Sequence, residues 1–473
     1  MSVRVAAAYW DGVMTGAGAV ALRVAYSIVV IAGGGLAAPS ALAETLTDAM
    51  ASAYSSNPTL DAERARLRAI DEGVPQALSG WRPTVTANGD YAHTRTTTRP
   101  SSGVDSRDPH GYSVTLRQPI FSGFKTIEGT AQAEANVDAG RQSLVNTEQT
   151  TLLDAVTVYM DVVRDQAVLD LRMKNVSVLN EQLRASRARF DVGEITRTDV
   201  AQSEARLSGA TSARASAQAV LASSRARYRQ VVGRAPGSLR YPKSIAGRLP
   251  KTLDQAVAIA RQNNPQLLAA SFAEEASRHA IEVARGDLLP EVSLDAEYSR
   301  DYETSRMIDR VESTTVLGRV TVPIYESGIV YSRVREAMQI NSQQRLLIVE
   351  ADRLVVASVV SAWENLRASR EQIRSDQSQV DANNLALEGV RQEALVGSRT
   401  TLDVLDAEQE YLDSQVALVG SKRNEVVASY QLLSAIGRLT AEYLRLPVDH
   451  YDPTRHYDSV RGKWIGFGSA ESD

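Results

Sequence analysis

The feature that most constrains this sequence of 473 residues is a set of landmarks that occurs twice in one order. The two sets lie 207 residues apart at first and 204 residues apart further on. The matches are Thr45-Leu46 with Thr252-Leu253, Asn57-Pro58 with Asn264-Pro265, Pro83 with Pro290, Pro119-Ile120-Phe121 with Pro323-Ile324-Tyr325, Gly193 with Gly397, Asp199-Val200 with Asp403-Val404, and Gly233 with Gly437. A period this long indicates the tandem duplication of a domain rather than a solenoid.

Two helices are expected at the start of each copy. A short helix, over about 45–56 and 252–263, stops at Asn-Pro because the residue before a proline is displaced from the helical region. Pro58 and Pro265 then stand in the first turn of a second helix, where the missing N–H costs no hydrogen bond. These second helices are expected to run to about residues 79 and 287.

Two strands follow in each copy. In the first copy, Val85, Ala87 and Tyr91 alternate with polar residues, and a period of two predicts a strand with two distinct faces. The strands are expected at about 84–95, 111–120, 291–302 and 315–324, joined by polar, solvent-exposed loops at 96–110 and 303–314.

A very long helix, at about 124–192 and 328–396, and a shorter return helix complete each copy. The long segments contain no proline, and apolar residues at seven-residue spacing predict a left-handed coiled coil. These residues are Val162, Leu169, Val176, Leu183 and Phe190, and in the second copy Leu366, Ile373, Val380, Leu387 and Ala394. Breaks at Gly193 and Gly397 lead into the return helices.

The element lengths predict an architecture. Each long helix spans roughly 100 Å, and the return helix, stacked end to end with the upstream helix, nearly matches it. Each copy therefore predicts a helical bundle with a β-hairpin at one end. Four strands per chain cannot close a membrane barrel, since the smallest have about eight, whereas three chains would supply twelve. The expected fold is an α+β membrane protein with tandem repeats at 44–240 and 241–446 and a disordered tail at 447–473.

The first 43 residues have the pattern of a secretory signal peptide. Arg23 precedes the apolar run 24–38, and Ala41-Leu42-Ala43 gives the small-x-small cleavage pattern, so Glu44 is the expected mature N-terminus. Met14 is an alternative start, and an uncleaved membrane anchor is the alternative interpretation. Later stretches are too polar for a spanning helix, so entry into a membrane would require the strands of a closed barrel.

Composition excludes several classes of function. The net charge of −5 comes from well-mixed charges, unlike the basic surface of a nucleic-acid binder. The absence of cysteine excludes disulfides, thiolate metal sites and a lipid-modified cysteine. Neither a catalytic set nor a cofactor motif is present, so an enzyme is not expected. The histidines lack zinc-ligand spacing and are expected at the surface: His93, His110, His279, His450 and His456.

Over about residues 44–446 the sequence resembles the TolC family of outer-membrane efflux and type I secretion channels. The resemblance rests on Asn57-Pro58, on Pro323-Ile324-Tyr325 followed by Ser327-Gly328, and on the segment Val396-Gly397-Ser398-Arg399-Thr400-Thr401-Leu402-Asp403-Val404-Leu405-Asp406. It implies a homotrimer with a twelve-stranded barrel in the lipid of the outer membrane, continued by a periplasmic α-helical barrel. It also implies docking to a periplasmic adaptor (membrane fusion) protein and to an inner-membrane ABC, RND or MFS transporter.

The same resemblance implies an acidic ring at the periplasmic aperture, formed by Asp403 and Asp406 of three chains. Such a ring favours cations and is a site for block by multivalent ones. The alternative is a purely structural role for Asp403, because Thr400 and Asp403 have the spacing of a capping box, as do Thr196 and Asp199.

Closed-state gate links carried over by position involve Thr198, Asp199 and Arg399, with an Asp199–Arg399 pair between the two copies. Where the best-known member of that family has a tyrosine, this chain has Ala394, so a hydrogen-bond donor of the closed state is missing. The closed state of the periplasmic mouth is therefore expected to be less stable.

Other features and functions stay open. Four tyrosines are candidates for interfacial girdles or for ordinary strand packing: Tyr91, Tyr112, Tyr298 and Tyr302. The tail carries the apolar patch Trp464-Ile465-Gly466-Phe467, which could be incidental or could contact the equatorial surface or an adaptor. The alternatives to a passive exit duct for drugs or secreted proteins are a periplasmic adaptor and a coiled-coil structural protein of the envelope without a pore.

Overall fold

The computed structural model describes residues 44–100, 103–305 and 307–468. These residues belong to one compact unit, Ala43–Asp473. The signal peptide, the cleavage site and the alternative start that the sequence predicts lie outside the described residues.

The helices follow one order in the two copies. The first copy contains α1 (Leu46–Ser56), α2 (Pro58–Asp71), α3 (Gly73–Leu78), α4 (Lys125–Asp191) and α5 (Arg197–Val232). The second contains α6 (Leu253–Asn263), α7 (Pro265–Gly286), α8 (Ile329–Leu395), α9 (Thr401–Ala435) and the short α10 (Ala441–Leu444), and the tail adds α11 (Arg455–Arg461). The long helices α4 and α8 each have 67 residues, as the proline-free segments predict. Within the described ranges, no helix is both long enough and apolar enough to cross a membrane.

The Asn-Pro landmarks join the ends of helices. Asn57 accepts a hydrogen bond from the Thr59 N–H at 2.9 Å, which caps α2, and its amide donates to the Val231 carbonyl at the end of α5 at 3.0 Å. Asn264 repeats both contacts, with the Gln266 N–H and with the Ala435 carbonyl of α9, each at 3.0 Å. Each asparagine therefore fastens the upstream helix to the return helix with which it stacks.

Replacing Asn264 with alanine is expected to lower the free energy of unfolding by about 2 kcal/mol or more, because a cap is lost and the Ala435 carbonyl loses its donor. Asn57→Ala is the matched control and should cost less, since Asn57 is only half-buried whereas Asn264 is buried. Urea unfolding followed by helical circular dichroism measures both. Equal stability of Asn264→Ala and the unchanged chain would contradict this role.

Helices α4 and α5 pack in antiparallel fashion in the first copy, as α8 and α9 do in the second. The ion pairs Arg187–Glu204 and Arg391–Glu408 stand at matching positions and bridge the two helices of each hairpin. The expected coiled-coil seam is buried from Val162 to Leu183, but it ends before Phe190, which is 43% exposed. In the second copy Leu366 and Leu387 are buried, whereas the seam positions between them are half-buried.

The strands form two antiparallel sheets. They are β1 (Thr84–Tyr91), β2 (Thr94–Thr98), β3 (Gly103–Arg107), β4 (His110–Ser122), β5 (Glu291–Ser305) and β6 (Ile308–Thr321). The main sheet has the order β1-β4-β5-β6, so the two copies are joined side by side through β4 and β5. β2 and β3 form a separate hairpin.

The prediction of polar loops at 96–110 and 303–314 is largely wrong. The hairpin β2–β3 occupies most of 96–110, and β5 and β6 extend through most of 303–314. Both segments are rich in Thr, Ser, Asp and Arg on both faces. Alternation between apolar and polar residues is therefore absent there, although the backbone ladder forms without it.

The predicted disorder of the tail is also wrong for residues 447–468. Helix α11 packs on the first copy, where His456 is buried with its Nδ1 3.0 Å from Oδ2 of Asp71. Tyr457 and Arg461 both donate to Glu134, at 3.1 and 2.8 Å. The partners lie more than 300 residues away in the sequence, so a local pattern could not indicate these contacts or the burial of His456.

Candidate functional site

The turns that end the long helices place the predicted gate residues. Gly193 and Gly397 both adopt φ of +79°, which favours glycine, and each turn leads into a capped return helix. At α9, the Asp403 carboxylate accepts from the Thr400 N–H at 2.9 Å and from the Thr400 hydroxyl at 2.8 Å. Thr196 and Asp199 form the same capping box at α5, so the structural role that the spacing predicts is confirmed for both aspartates.

The capping contacts also fix the charge of these aspartates. Hydrogen bonds from the backbone and side chain of Thr400, together with nearby Arg399, lower the pKa of Asp403 below its usual value of 3.8. Hydrogen bonds from the side chain and backbone of Thr196 lower the pKa of Asp199 in the same way. Both side chains therefore stay negative at any physiological pH, and Asp403 is half-buried at the start of α9.

Asp406 has a partner that sequence analysis missed. The Arg206 guanidinium of α5 forms an ion pair with the Asp406 carboxylate of α9, which joins the first copy to the second near the turns. Gln202 occupies the position in the first copy that matches Asp406, so this link has no duplicate. A basic residue one turn beyond that glutamine was the available signal, but its pairing depends on how α5 lies beside α9.

The remaining gate residues interact with groups in their own turns. The Arg399 guanidinium pairs with Glu393 of α8, with Nε 2.8 Å from Oε2, while the Asp199 carboxylate is held by Thr196. Thr198 is exposed in the first turn of α5. Within the described part of a single chain, Asp199 and Arg399 thus pair with other groups, and the Asp199–Arg399 link stays a prediction for the assembled protein.

In the rows nearest the helices, the four-stranded sheet has one apolar face and one polar face, whereas Arg300 and Glu312 form an ion pair further out on the apolar side. Val85, Leu116, Ala296 and Val316 are aligned across the four strands by the pairing register. Three of these side chains are between 38% and 68% exposed. The neighbouring row lies on the opposite face and is polar: Thr86, Thr115, Glu297 and Thr315. An exposed apolar face of this extent requires an apolar environment.

Aromatic rings collect on the apolar face away from the helices. Tyr91, His110 and Tyr302 form one cross-strand row, with ring centroids 6.2 Å apart in the first pair and 5.0 Å in the second, which is stacked. Tyr112 and Tyr298 lie near each other closer to the helices, 6.2 Å apart. All four tyrosines proposed for a girdle therefore share the face that carries the apolar rows.

The strands at both sides of this sheet have a single neighbour each. Within the described residues, β1 pairs only with β4, and β6 pairs only with β5. Unpaired N–H and C=O groups on a long edge strand are available for pairing with another chain. Because β1 and β6 run in opposite directions, the edge of one copy of the chain can continue the antiparallel order of the next.

Comparisons with known proteins agree with these features. The family described as outer membrane efflux protein matches residues 49–234 and again 256–438, one match for each copy. The outer membrane efflux protein BepC of Brucella suis is 40% identical over 440 residues, covering 93% of this chain and 95% of that protein. The outer membrane protein TolC of Escherichia coli is 26% identical, covering 85% and 84%.

Solved structures show the same fold. The Campylobacter jejuni CmeC outer membrane channel superposes with a TM-score of 0.76 at 14% identity, covering 88% of this chain and 89% of that one. A likeness at this identity concerns the fold alone, but the family match and the relative at 40% identity cover most of the chain. The chain therefore belongs to the outer membrane efflux protein family, which is the TolC family that its duplicated landmarks resemble.

Proposed function

We propose that the chain is the passive outer-membrane exit duct of a tripartite efflux pump or a type I secretion system. The observation that carries this function is the four-stranded sheet, which has an exposed apolar face and two unpaired edges at one end of the helical hairpins. Lipid would cover the apolar face, and the polar face would line a channel. The α4 and α8 helices, 67 residues each, would continue that channel for roughly 100 Å.

The duct is proposed to be a homotrimer. Edge strands β1 and β6 of neighbouring chains would pair, and three chains would close a barrel of twelve strands. The repeat boundaries 44–240 and 241–446 would then define six similar units around one axis. In this arrangement the turns at Gly193 and Gly397 meet at the far end of the helices, where Asp403 and Asp406 of three chains would surround the aperture.

Localisation and partners follow from this placement. The mature chain, cleaved after Ala43, would span the outer membrane and extend into the periplasm. There the helical turns would meet a periplasmic adaptor, and the energy would come from an inner-membrane transporter of the ABC, RND or MFS type. Selection of cargo would belong to that transporter, since the proposed duct is wide and water-filled.

Conductance tests the proposal directly. The purified chain in a planar lipid bilayer is expected to give discrete conductance steps and to migrate as a heat-modifiable trimer. A chain that inserts into the bilayer without any conductance, or that remains monomeric after insertion, would contradict the duct. A clean gene deletion, scored for drug susceptibility and for proteins missing from the medium, would then identify the cargo.

Ala394→Tyr is expected to lower the resting conductance of this channel. Ala394 lies half-buried in the last turn of α8, where a phenol could supply the closed-state hydrogen bond that the chain lacks. Ala394→Phe is the matched control, because it adds the ring without the hydroxyl donor. Single-channel recordings that show no difference between Ala394→Tyr and the unchanged chain would refute the latch.

A further inference from the structure

The apolar patch in the tail remains uncovered although the tail itself is packed. Trp464 is 66% exposed, Ile465 is 90% exposed and Phe467 is fully exposed, directly after the helix α11 that is fastened to Asp71 and Glu134. A fastened segment that ends in three exposed large apolar side chains indicates an apolar environment beside it.

The patch lies where the sheet meets the helices. The Arg82 guanidinium donates to the Lys463 carbonyl at 2.7 Å and lies over the Trp464 ring, 5.1 Å from its centroid. Arg82 stands two residues before Thr84, where β1 begins, and its neighbour Trp81 is itself 39% exposed. The tail therefore brings Trp464 to the base of the strands rather than to the helical surface.

The height of this position can be compared with that of the aromatic row. Tyr91 and Arg82 are nine residues apart on one extended segment, which corresponds to about 30 Å along the chain and about 23 Å of height at the tilt usual for barrel strands. The apolar band of an outer-membrane barrel is about 25 Å tall, with aromatic residues at both borders. Tyr91 stands at one border of such a band, and Trp464 stands at the other.

The chemistry of the patch suits the border between hydrocarbon and headgroups. A tryptophan ring buries an apolar body and keeps a polar N–H near water, which is why it collects at membrane interfaces. Lys463 makes no ion pair among the residues that the structure describes, so its ammonium is available for phosphate groups. Arg82 adds a second cation at the same level.

We propose that residues 464–467 insert into the periplasmic leaflet of the outer membrane and anchor the duct there, with phospholipid as the ligand. The anchor rests on the proposed function, because it needs the sheet to cross the membrane. It continues the lipid-facing surface of the sheet below the first residues of the strands. Three tails around the barrel would fix the height of the channel in the bilayer, on the side opposite to the tyrosine row.

The test uses the full mature chain reconstituted into phospholipid vesicles, with conductance recorded from the same preparation. The difference in fluorescence between the unchanged chain and Trp464→Phe isolates the emission of Trp464. Lipids with bromine near the ester end of the acyl chain quench indoles at the membrane border. Trp363→Phe gives the matched control, since Trp363 lies 34 residues into α8, roughly 50 Å from the strands.

In conducting vesicles, the Trp464 emission is expected to be shifted to the blue and to be lost in brominated lipid, while the Trp363 emission stays the same. Emission that bromine leaves unchanged and that aqueous iodide quenches would place the patch in water and overturn the anchor. Emission that neither reagent quenches would mean that protein covers the patch, which also overturns it. If the reconstituted chain neither inserts into the vesicles nor conducts, both the anchor and the proposed duct are refuted.

Discussion

Val316→Arg is expected to prevent stable insertion of the chain into a membrane. Val316 lies on the apolar face of β6, five residues from Thr321, the end of the strand nearest the helices. With the usual tilt, this distance places it roughly 13 Å into a band about 25 Å tall, near its middle. An arginine at that depth on the lipid face costs about 2–4 kcal/mol per chain, and a trimer carries the cost three times.

Thr315→Arg is the matched control, because the adjacent residue points to the polar face. It should cost less than about 1 kcal/mol per chain and change mainly the ion selectivity of the channel. The measurement is the fraction of each variant that folds into vesicles at increasing urea concentration. The opposite order, with Thr315→Arg the more damaging, would mean that the two faces are assigned the wrong way round.

Removal of the acidic ring is expected to weaken block by multivalent cations strongly. With Asp403→Asn and Asp406→Asn together, three chains lose six carboxylates, and the affinity of a trivalent cation for the aperture should fall roughly a hundredfold or more. Single-channel current at increasing concentrations of a trivalent amine complex of cobalt measures the change. An unaltered blocking concentration would remove these residues from the aperture.

Arg206→Ala should change the block in the opposite direction. The Arg206 guanidinium neutralises Asp406 in the structure, so its loss should strengthen the block severalfold. Arg187→Ala is the matched control, since it breaks another ion pair on the same hairpin without touching either acid of the ring. If Arg206→Ala weakens the block or leaves it unchanged, the pair does not act at the aperture.

The block should also persist in acid. Because hydrogen bonds from Thr400 hold the pKa of Asp403 below 3.8, this carboxylate stays ionised until the pH falls beneath that value. Thr400→Val removes the hydroxyl donor, so the pKa should rise and the contribution of Asp403 to the block should be lost at a higher pH. The blocking concentration of the cation, measured as a function of pH in the unchanged chain and in Thr400→Val, gives the pH at which each protein loses the block.

Elements with a local physical cause were predictable from the sequence. Each Asn-Pro pair encodes a helix end and a helix start in two residues, and the proline-free segments predict α4 and α8. The capping boxes at Thr196 and Thr400 could likewise be predicted from spacing alone. Duplication helped further, because each pattern was seen twice.

Contacts between distant segments were not predictable. The strands β2 and β3 lack the apolar alternation that marks a strand, although they form a ladder. His456 gave no sign of its contact with Asp71, which lies 385 residues away. The Arg206–Asp406 pair depends on how the two return helices lie together. An ion pair between two helices has no fixed separation along the sequence by which it could be recognised.

Closure of the sheet between chains is the central claim, and disulfide cross-linking tests it most directly. The chain has no cysteine, so Val85→Cys on β1 can be combined with one cysteine on β6, at Val316, Gly318 or Val320 on the same face. A disulfide requires Cβ atoms about 3.5–4.5 Å apart, which neighbouring strands allow. Leu317→Cys, on the opposite face, is the control. We predict that at least one same-face pair gives covalent species that end at three chains in oxidised vesicles. Species that stop at two chains, that continue beyond three, or that never form would contradict a closed trimer.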